Sequence, residues 1–320
     1  MNSANELVGA QLTQVEETLL NIPEMHPSNL RNAVKTIVAS GGKRLRPQIS
    51  LLVAGMFGKQ DLRAAIDVAS AVEMLHTATL VHDDLIDGSL VRRGAATLNA
   101  AWTPAATVLT GDFLFAFAAG LASRANSVRV MSIFSETLGV IVGGELRQQF
   151  TNWARRRTRE DYTERIYAKT ASMFVLAATA AGVVAEASEA QITSLNQYAR
   201  NLGLAFQIMD DVLDFTGEQA TVGKPVGSDL RRGLITLPTI FYIEANPDDP
   251  LLPCALEGNC SGETYAQLVK RIRESTAIKI AIAEAGTLAN EAKRHLANFP
   301  DSPYRDALGA IADFTVARTT

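Results

Sequence analysis

The chain has 320 residues, 47% of them hydrophobic and 20% charged, with a formal net charge of −4. That is ample material for a core, and length alone allows one large domain or two smaller ones. The slightly acidic balance gives no support to a nucleic-acid surface, and no Pro/Ser/Gly-rich linker, repeat or low-complexity tract divides residues 1–320.

In chain order, the opening MNSANELVGAQL lacks the basic and apolar regions of a secretory leader. A helical pattern over Asn29–Ser40 runs into a glycine turn, Gly41-Gly42, followed by Lys43, Arg44 and Arg46. The next helix is read from Asp61-Leu62 to Asp87, with Asp61 as N-cap and Gly88 closing it. On it His76, Thr79, Asp83 and Asp87 share one face. Its end carries Asp83-Asp84-x-x-Asp87, and Arg92-Arg93-Gly94 follows. The apolar stretches Phe113–Ser123 and Thr170–Ala185 are too short or too rich in small residues to span a bilayer, and read as buried helices. Arg155, Arg156, Arg157 and Arg159 form a solvated basic run. Lys169 opens Lys-Thr-Ala, and a helix over Asn201–Phe215 carries a second acidic copy, Asp210-Asp211-x-x-Asp214. From Gly217 to Gly233 a Gly/Pro/charge-rich segment containing Lys224 reads as a loop. Cys254 and Cys260 read as free thiols of a reducing compartment. Ala and Leu dominate at helical spacing, and no run of alternating β-branched residues stands out.

Two copies of Asp-Asp-x-x-Asp in apolar helical contexts demand a cation, because carboxylates are costly there without one. The two clusters are expected to wall one cavity that holds divalent ions. Oxygen-only donors suit Mg²⁺ first and Mn²⁺ second, and no Cys/His set suggests zinc. Mg²⁺ usually keeps waters and substrate phosphates in its shell, so a phosphorylated ligand is expected, with Lys and Arg to meet it. No Walker-type loop and no GxGxxG after a strand points to a nucleotide. The dispersed cations suit two separate anionic groups.

Taken with the stretches GGKRLRP, EMLHTATLVHDDLID, RRG, LTGDFLF, GGELRQQ, YAKTASMF, FQIMDDVLDF, GKPVGSDL and TLP, these motifs identify a resemblance. The chain resembles the all-trans isoprenyl diphosphate synthases, and most closely the long-chain bacterial polyprenyl diphosphate synthases. The resemblance implies an all-α, single-domain helical bundle around a deep central cavity, as a homodimer, while the opening residues, the two thiols and the short apolar stretches point to a cytoplasmic, soluble protein. It implies head-to-tail condensation of isopentenyl diphosphate with an allylic diphosphate, using about three Mg²⁺ ions per site, with a product that can be delivered to a membrane.

By the same resemblance, Asp83, Asp84, Asp87, Asp210 and Asp214 hold metal, and Asp211 acts through water. Arg92, Lys169 and Lys224 hold the allylic diphosphate. Lys43, Arg46, His76 and Arg93 hold the isopentenyl diphosphate. Thr170 and Gln207 offer oxygen dipoles near the carbocation, and the departing diphosphate takes the final proton. His82 reads as a structural neighbour.

One position departs from the family pattern. DLRRGLITLP puts Leu234 where a diphosphate-binding lysine is expected, with Arg231 or Arg232 as possible substitutes. Chain length is set by the room below the first acidic motif, where Ala78 and Thr79 are small. That favours a product beyond C20, with Phe117, Met131 and Phe134 as candidate floor residues. A geranylgeranyl- or farnesyl-type synthase is the alternative, and a catalytically silent partner subunit a more distant one.

Overall fold

The structure is a computed structural model that describes residues 2–39, 42–59, 61–92, 94–150, 158–217 and 226–318. Among the described residues it is all-α apart from one two-stranded hairpin. In order the elements are α1 (Asn2–Leu20), α2 (Ser28–Ala39), α3 (Leu45–Met56), α4 (Arg63–Ile86), β1 (Val91–Arg92), β2 (Ala95–Ala96), α5 (Leu98–Ala101), α6 (Pro104–Ser123), α7 (Val128–Phe150) and α8 (Arg159–Ile166). After a π-helical turn, Tyr167–Ala171, come α9 (Ser172–Val184), α10 (Glu189–Thr216), α11 (Ser228–Arg231), α12 (Leu237–Ala245), α13 (Leu252–Glu257), α14 (Gly262–Glu274), α15 (Ala277–Leu296) and α16 (Pro303–Ala317). Two compact units interleave along the chain. One is Met1–Thr137, Met173–Asn196 and Asn298–Leu308; the other is Leu138–Ser172, Gln197–Ala297 and Gly309–Thr320.

In the first unit α4 is the central helix. It packs against α1, α3 and above all α6. Its middle, residues 68–75, is buried on every side, which is why mostly apolar and small residues run around it. Each large aliphatic side chain buried this way stabilises by about 1.5–3 kcal/mol. α3 is similarly enclosed, and the Ser50 hydroxyl donates to the Ala177 carbonyl of α9 at 2.9 Å.

The start of α4 differs from the expectation. The helix begins at Arg63 with Leu62 as its cap residue, while the Asp61 carboxylate accepts from the Arg63 N–H at 3.0 Å from outside the helix. Its end follows the sequence. Gly88 (φ 62) takes the left-handed position, its N–H bonding Leu85 O at 3.1 Å and the Ser89 N–H bonding Asp84 O at 2.8 Å. This is a Schellman closure, which only a residue tolerant of positive φ completes cheaply. The chain then reverses through the β1–β2 hairpin, pairing Val91 with Ala96 and Arg92 with Ala95.

In the second unit α12 packs on α15, and the π-helical turn follows α8. Cys254 and Cys260 are joined by a disulfide with Cα atoms 5.0 Å apart, which corrects the expectation of free thiols. Gly258 (φ 72) ends α13 and folds the chain back so that the two residues meet. The argument for a reducing compartment from unpaired thiols falls with it.

The apolar stretches correct the sequence reading in part, for Thr170–Ala185 is buried as expected and the stretch on α6 is not. By length and composition Arg63–Ile86, Pro104–Ser123 and Arg159–Val184 could each cross a membrane. The apolar windows of the first and third are 78% and 83% buried inside the protein, whereas that of α6 is only 39% buried.

Candidate active site

Each acidic motif is built at the end of its own helix, α4 in the first unit and α10 in the second. On α4, Asp83 is half-buried, Asp84 is buried and Asp87 is the exposed C-cap. A buried carboxylate needs a counter-charge. Asp84 finds it in Arg92, whose Nε lies 2.9 and 3.0 Å from the two carboxylate oxygens. The Gly88 reversal and the hairpin return Arg92 to the helix it follows.

One turn earlier, Ala78 is fully buried and Thr79 is 8% exposed, its hydroxyl donating to the His76 carbonyl at 2.8 Å. His76 is half-buried. His82 points instead to α6, with Nε2 3.0 Å from the Val108 carbonyl and 3.7 Å from the Asp112 carboxylate, a structural neighbour as expected. Of the cations in GGKRLRP, Arg44 is structural: it adopts φ 48 and binds Glu73 and the Val38 carbonyl, both at 2.7 Å. Lys43 is exposed, and the half-buried Arg46 lies 4.8 Å from the centre of the Phe174 ring. Of the floor candidates, Phe134 is buried, and Phe117 is half-buried and stacked on Phe113.

The second motif is more tightly held. The π-helical turn widens the backbone where Lys169 and Thr170 lie, a device frequent at functional sites. Gly144 lets α7 approach this turn, since a Cβ there would fall 2.6 Å from that of Ala168. Lys169 Nζ donates to Glu145 Oε1 at 2.9 Å. The Thr170 hydroxyl donates to Gln207 Oε1 at 2.6 Å, which leaves Gln207 Nε2 to donate to Asp211 Oδ1 at 2.8 Å. Asp211 Oδ2 accepts from the Tyr162 hydroxyl at 2.7 Å. Burial, then the Asp229 charge, pushes the Asp211 carboxyl up to about 7. Burial, then the Asp211 charge, pushes the Tyr162 hydroxyl well above its ordinary range.

Asp210 pairs with Arg318 at 3.0 Å. Asp214 accepts from the Ser228 hydroxyl at 2.7 Å and from the Ser228 and Asp229 N–H groups at 3.2 Å each, capping α11 from outside it. Gly227 (φ 70) makes that approach possible, because a Cβ there would meet Val269 at 2.3 Å. Leu234 is half-buried, its N–H donating to Asp229 O at 2.9 Å. Arg231 turns towards α14, contacting the Gly262 carbonyl and the Tyr265 ring, and Arg232 is exposed. Arg93 and Lys224 lie outside the described residues.

Tyr162, Glu145, Ser228 and Arg318 escaped the sequence reading. Glu145, within GGELRQQ, and Ser228, within GKPVGSDL, carried a signal there, whereas Tyr162 and Arg318 carried none.

A divalent metal fits the donors of each acidic motif chemically. The ligands on offer are hard carboxylate oxygens at helix ends, and positive charge already sits on Asp84 and Asp210 in the form of Arg92 and Arg318. Among the described residues no three His, Cys, Asp or Glu side chains converge into a cage. An ion here completes its shell with water and phosphate oxygens, which is the habit of Mg²⁺. Both Asp211 oxygens are taken by donors, Tyr162 and Gln207.

The sequence matches the Polyprenyl synthetase family over residues 27–272. It is 33% identical over 320 residues to octaprenyl diphosphate synthase of Escherichia coli (strain K12), with 99% of each chain covered. Its fold is similar to that of a polyprenyl synthase from Caulobacter crescentus CB15, crystallised with calcium and isoprenyl diphosphate. There the TM-score is 0.90 and the identity 34%, with 100% and 98% of the chains covered. A decaprenyl diphosphate synthase from Rhodobacter capsulatus gives a TM-score of 0.90 at 30% identity, covering 100% and 99%. With the family match across most of the chain and both acidic motifs in place, this chain belongs to the polyprenyl synthetase family of prenyltransferases.

Proposed function

We propose that this chain is a Mg²⁺-dependent trans-polyprenyl diphosphate synthase. It joins isopentenyl diphosphate head-to-tail (1′–4) to an allylic diphosphate, releases diphosphate and extends the product beyond C20. The observation that carries the long-chain reading is the buried pair Ala78 and Thr79, small side chains just before Asp83 where an aromatic would close the space. Likeness along the whole length to octaprenyl and decaprenyl synthases supports it.

Asp83, Asp84, Asp87, Asp210 and Asp214 are the metal carboxylates. When bound, Mg²⁺ supplies Lewis-acid stabilisation of the charge that develops on the leaving diphosphate. Arg92, Lys169 and Lys224 hold the allylic diphosphate, and Lys43, Arg46, His76 and Arg93 the isopentenyl diphosphate. Arginine suits this task because its fork binds phosphate bidentately. Arg92 and Lys169 are already ordered by Asp84 and Glu145, so little is lost in fixing them. The Thr170–Gln207–Asp211 chain fixes the direction of the Gln207 amide, whose oxygen dipole suits a developing carbocation.

The exposed apolar side chains of α6, Val108 and Leu109, support a homodimer in which a second copy covers that face. Light scattering of the purified protein tests the dimer.

The activity is tested with farnesyl diphosphate, labelled isopentenyl diphosphate and Mg²⁺, with EDTA as control. A metal-dependent ladder of products longer than C20 is expected. A stop at C20 or below assigns the chain to the shorter synthases, and no product with any primer removes the catalytic reading.

A further inference from the structure

Arg318 lies one residue past α16, yet its side chain is only 10% exposed. Helix ends fray unless something holds them. Here Nη1 donates to Asp210 Oδ1 at 3.0 Å, Nη2 to the Phe206 carbonyl at 3.1 Å and Nε to the Thr315 carbonyl at 3.2 Å. The guanidinium carbon also stands 4.0 Å from the centre of the Phe206 ring. All three guanidinium nitrogens are engaged, and the only charged partner among these groups is the first aspartate of the second acidic motif.

That carboxylate is one a divalent ion would claim. A guanidinium and a metal ion on the same carboxylate repel each other, so each weakens the hold of the other. Leu234 also stands where the resemblance expects a diphosphate-binding lysine, and Arg231 is turned towards Gly262 and Tyr265. A guanidinium displaced from Asp210 by metal would be next to the diphosphate that the metal brings, and its fork suits phosphate oxygens.

We propose that Arg318 is the internal counter-ion of the second acidic motif. It neutralises Asp210 until metal and diphosphate bind, then yields that carboxylate and serves the diphosphate in place of the lysine missing at position 234. The proposal rests on the reading of Asp210 as a metal carboxylate.

The test is calorimetric titration of the full-length protein with MgCl₂ alone, then with inorganic diphosphate at saturating Mg²⁺. Removing a competitor from Asp210 makes Arg318→Gln bind Mg²⁺ alone more tightly. Losing one charge-assisted hydrogen bond makes the same variant bind diphosphate about tenfold more weakly. Adding Leu234→Lys to Arg318→Gln restores the diphosphate affinity, and Arg318→Lys, which keeps the charge, retains most of it. Mg²⁺ affinity that is unchanged or weaker in Arg318→Gln, or diphosphate affinity that does not move, overturns the proposal while leaving the metal site standing. If the wild type binds no Mg²⁺ with or without diphosphate, the metal reading fails and the proposal with it. Arg318→Lys covers the case in which Arg318→Gln does not fold: diphosphate binding then lost despite a retained melting temperature also counts against the charge role.

Discussion

The Tyr162 hydroxyl donates to Asp211 Oδ2 at 2.7 Å, and through that one bond α8 fixes the middle aspartate of the second acidic motif on α10. With Gln207 on the other oxygen, Asp211 cannot turn, and its neighbours Asp210 and Asp214 inherit a fixed helix end. Tyr162→Phe leaves a buried carboxylate oxygen without its donor, at a cost of about 1–3 kcal/mol. We expect a lower melting temperature and a fall in kcat larger than any change in the KM for isopentenyl diphosphate. A variant with wild-type stability and kcat would show that the bond does not hold the motif.

Asp211 also gives the metal-free protein a pH dependence. Its carboxyl is pushed up from 3.8 to about 7, by burial first and the Asp229 charge second, against the hydrogen bonds of Gln207 and Tyr162 and the charge of Arg165. Below the unfolded value both states are protonated and the stability is fully present. Between the two values the folded protein keeps a proton that the unfolded chain has lost, so stability falls as pH rises and levels off above about 7. Melting temperatures of wild type and Asp211→Asn, measured in EDTA between about pH 5 and pH 8, should diverge because the variant lacks this slope. Parallel curves would remove Asp211 as its source.

Asp83 and Asp210 are the carboxylates whose loss should touch the chemistry most directly. Each change to Ala is expected to lower kcat about 10²–10³-fold, the usual loss when one electrostatic stabiliser of a developing charge is removed. EDTA should abolish turnover while leaving the helical circular dichroism intact, because Arg92 and Arg318 already neutralise Asp84 and Asp210 without metal. Full activity in Asp210→Ala would remove that residue from the metal set.

α4 and its acidic end were legible because the apolar pattern and Gly88 are local signals. The start of α10 was legible too but was read too late: Ser188 and Gln191 form a reciprocal cap, a Ser-x-x-Gln signature written in the sequence, and the helix begins at Glu189. The partners of the second motif were not legible. Tyr162 and Arg318 lie 49 and 108 residues from the aspartates they bind, and no local spacing encodes such a meeting. The Cys254–Cys260 bridge was hidden for a related reason, since it depends on the left-handed turn at Gly258 rather than on the spacing of the cysteines.

Gly111 is a packing requirement between α6 and α4. A Cβ there would fall 2.0 Å from His82 Nε2 and 2.2 Å from its Cδ2, and the ring is tethered by the Val108 carbonyl. Gly111→Ala must push the imidazole out, with an overpacking cost of about 1–3 kcal/mol. Combining it with His82→Ala removes the clash, so the two changes should be less than additive in urea unfolding. Strict additivity would show that the helices shift apart rather than collide at His82.

Ala78 offers the sharpest test of product length. It is fully buried on α4, five residues before Asp83, with Thr79 beside it. If the growing chain passes this point, product length should shorten with side-chain size, modestly in Ala78→Leu and strongly in Ala78→Phe, while the first condensation survives. A larger side chain at a fully packed position also costs about 1–3 kcal/mol, so the melting temperature should fall in the same order. The two effects separate on the chromatogram. A tunnel-lining residue changes which product accumulates, whereas a residue that only packs lowers the yield of every product alike. An unchanged distribution in Ala78→Phe, at whatever stability, would place the tunnel elsewhere and return Ala78 to the core.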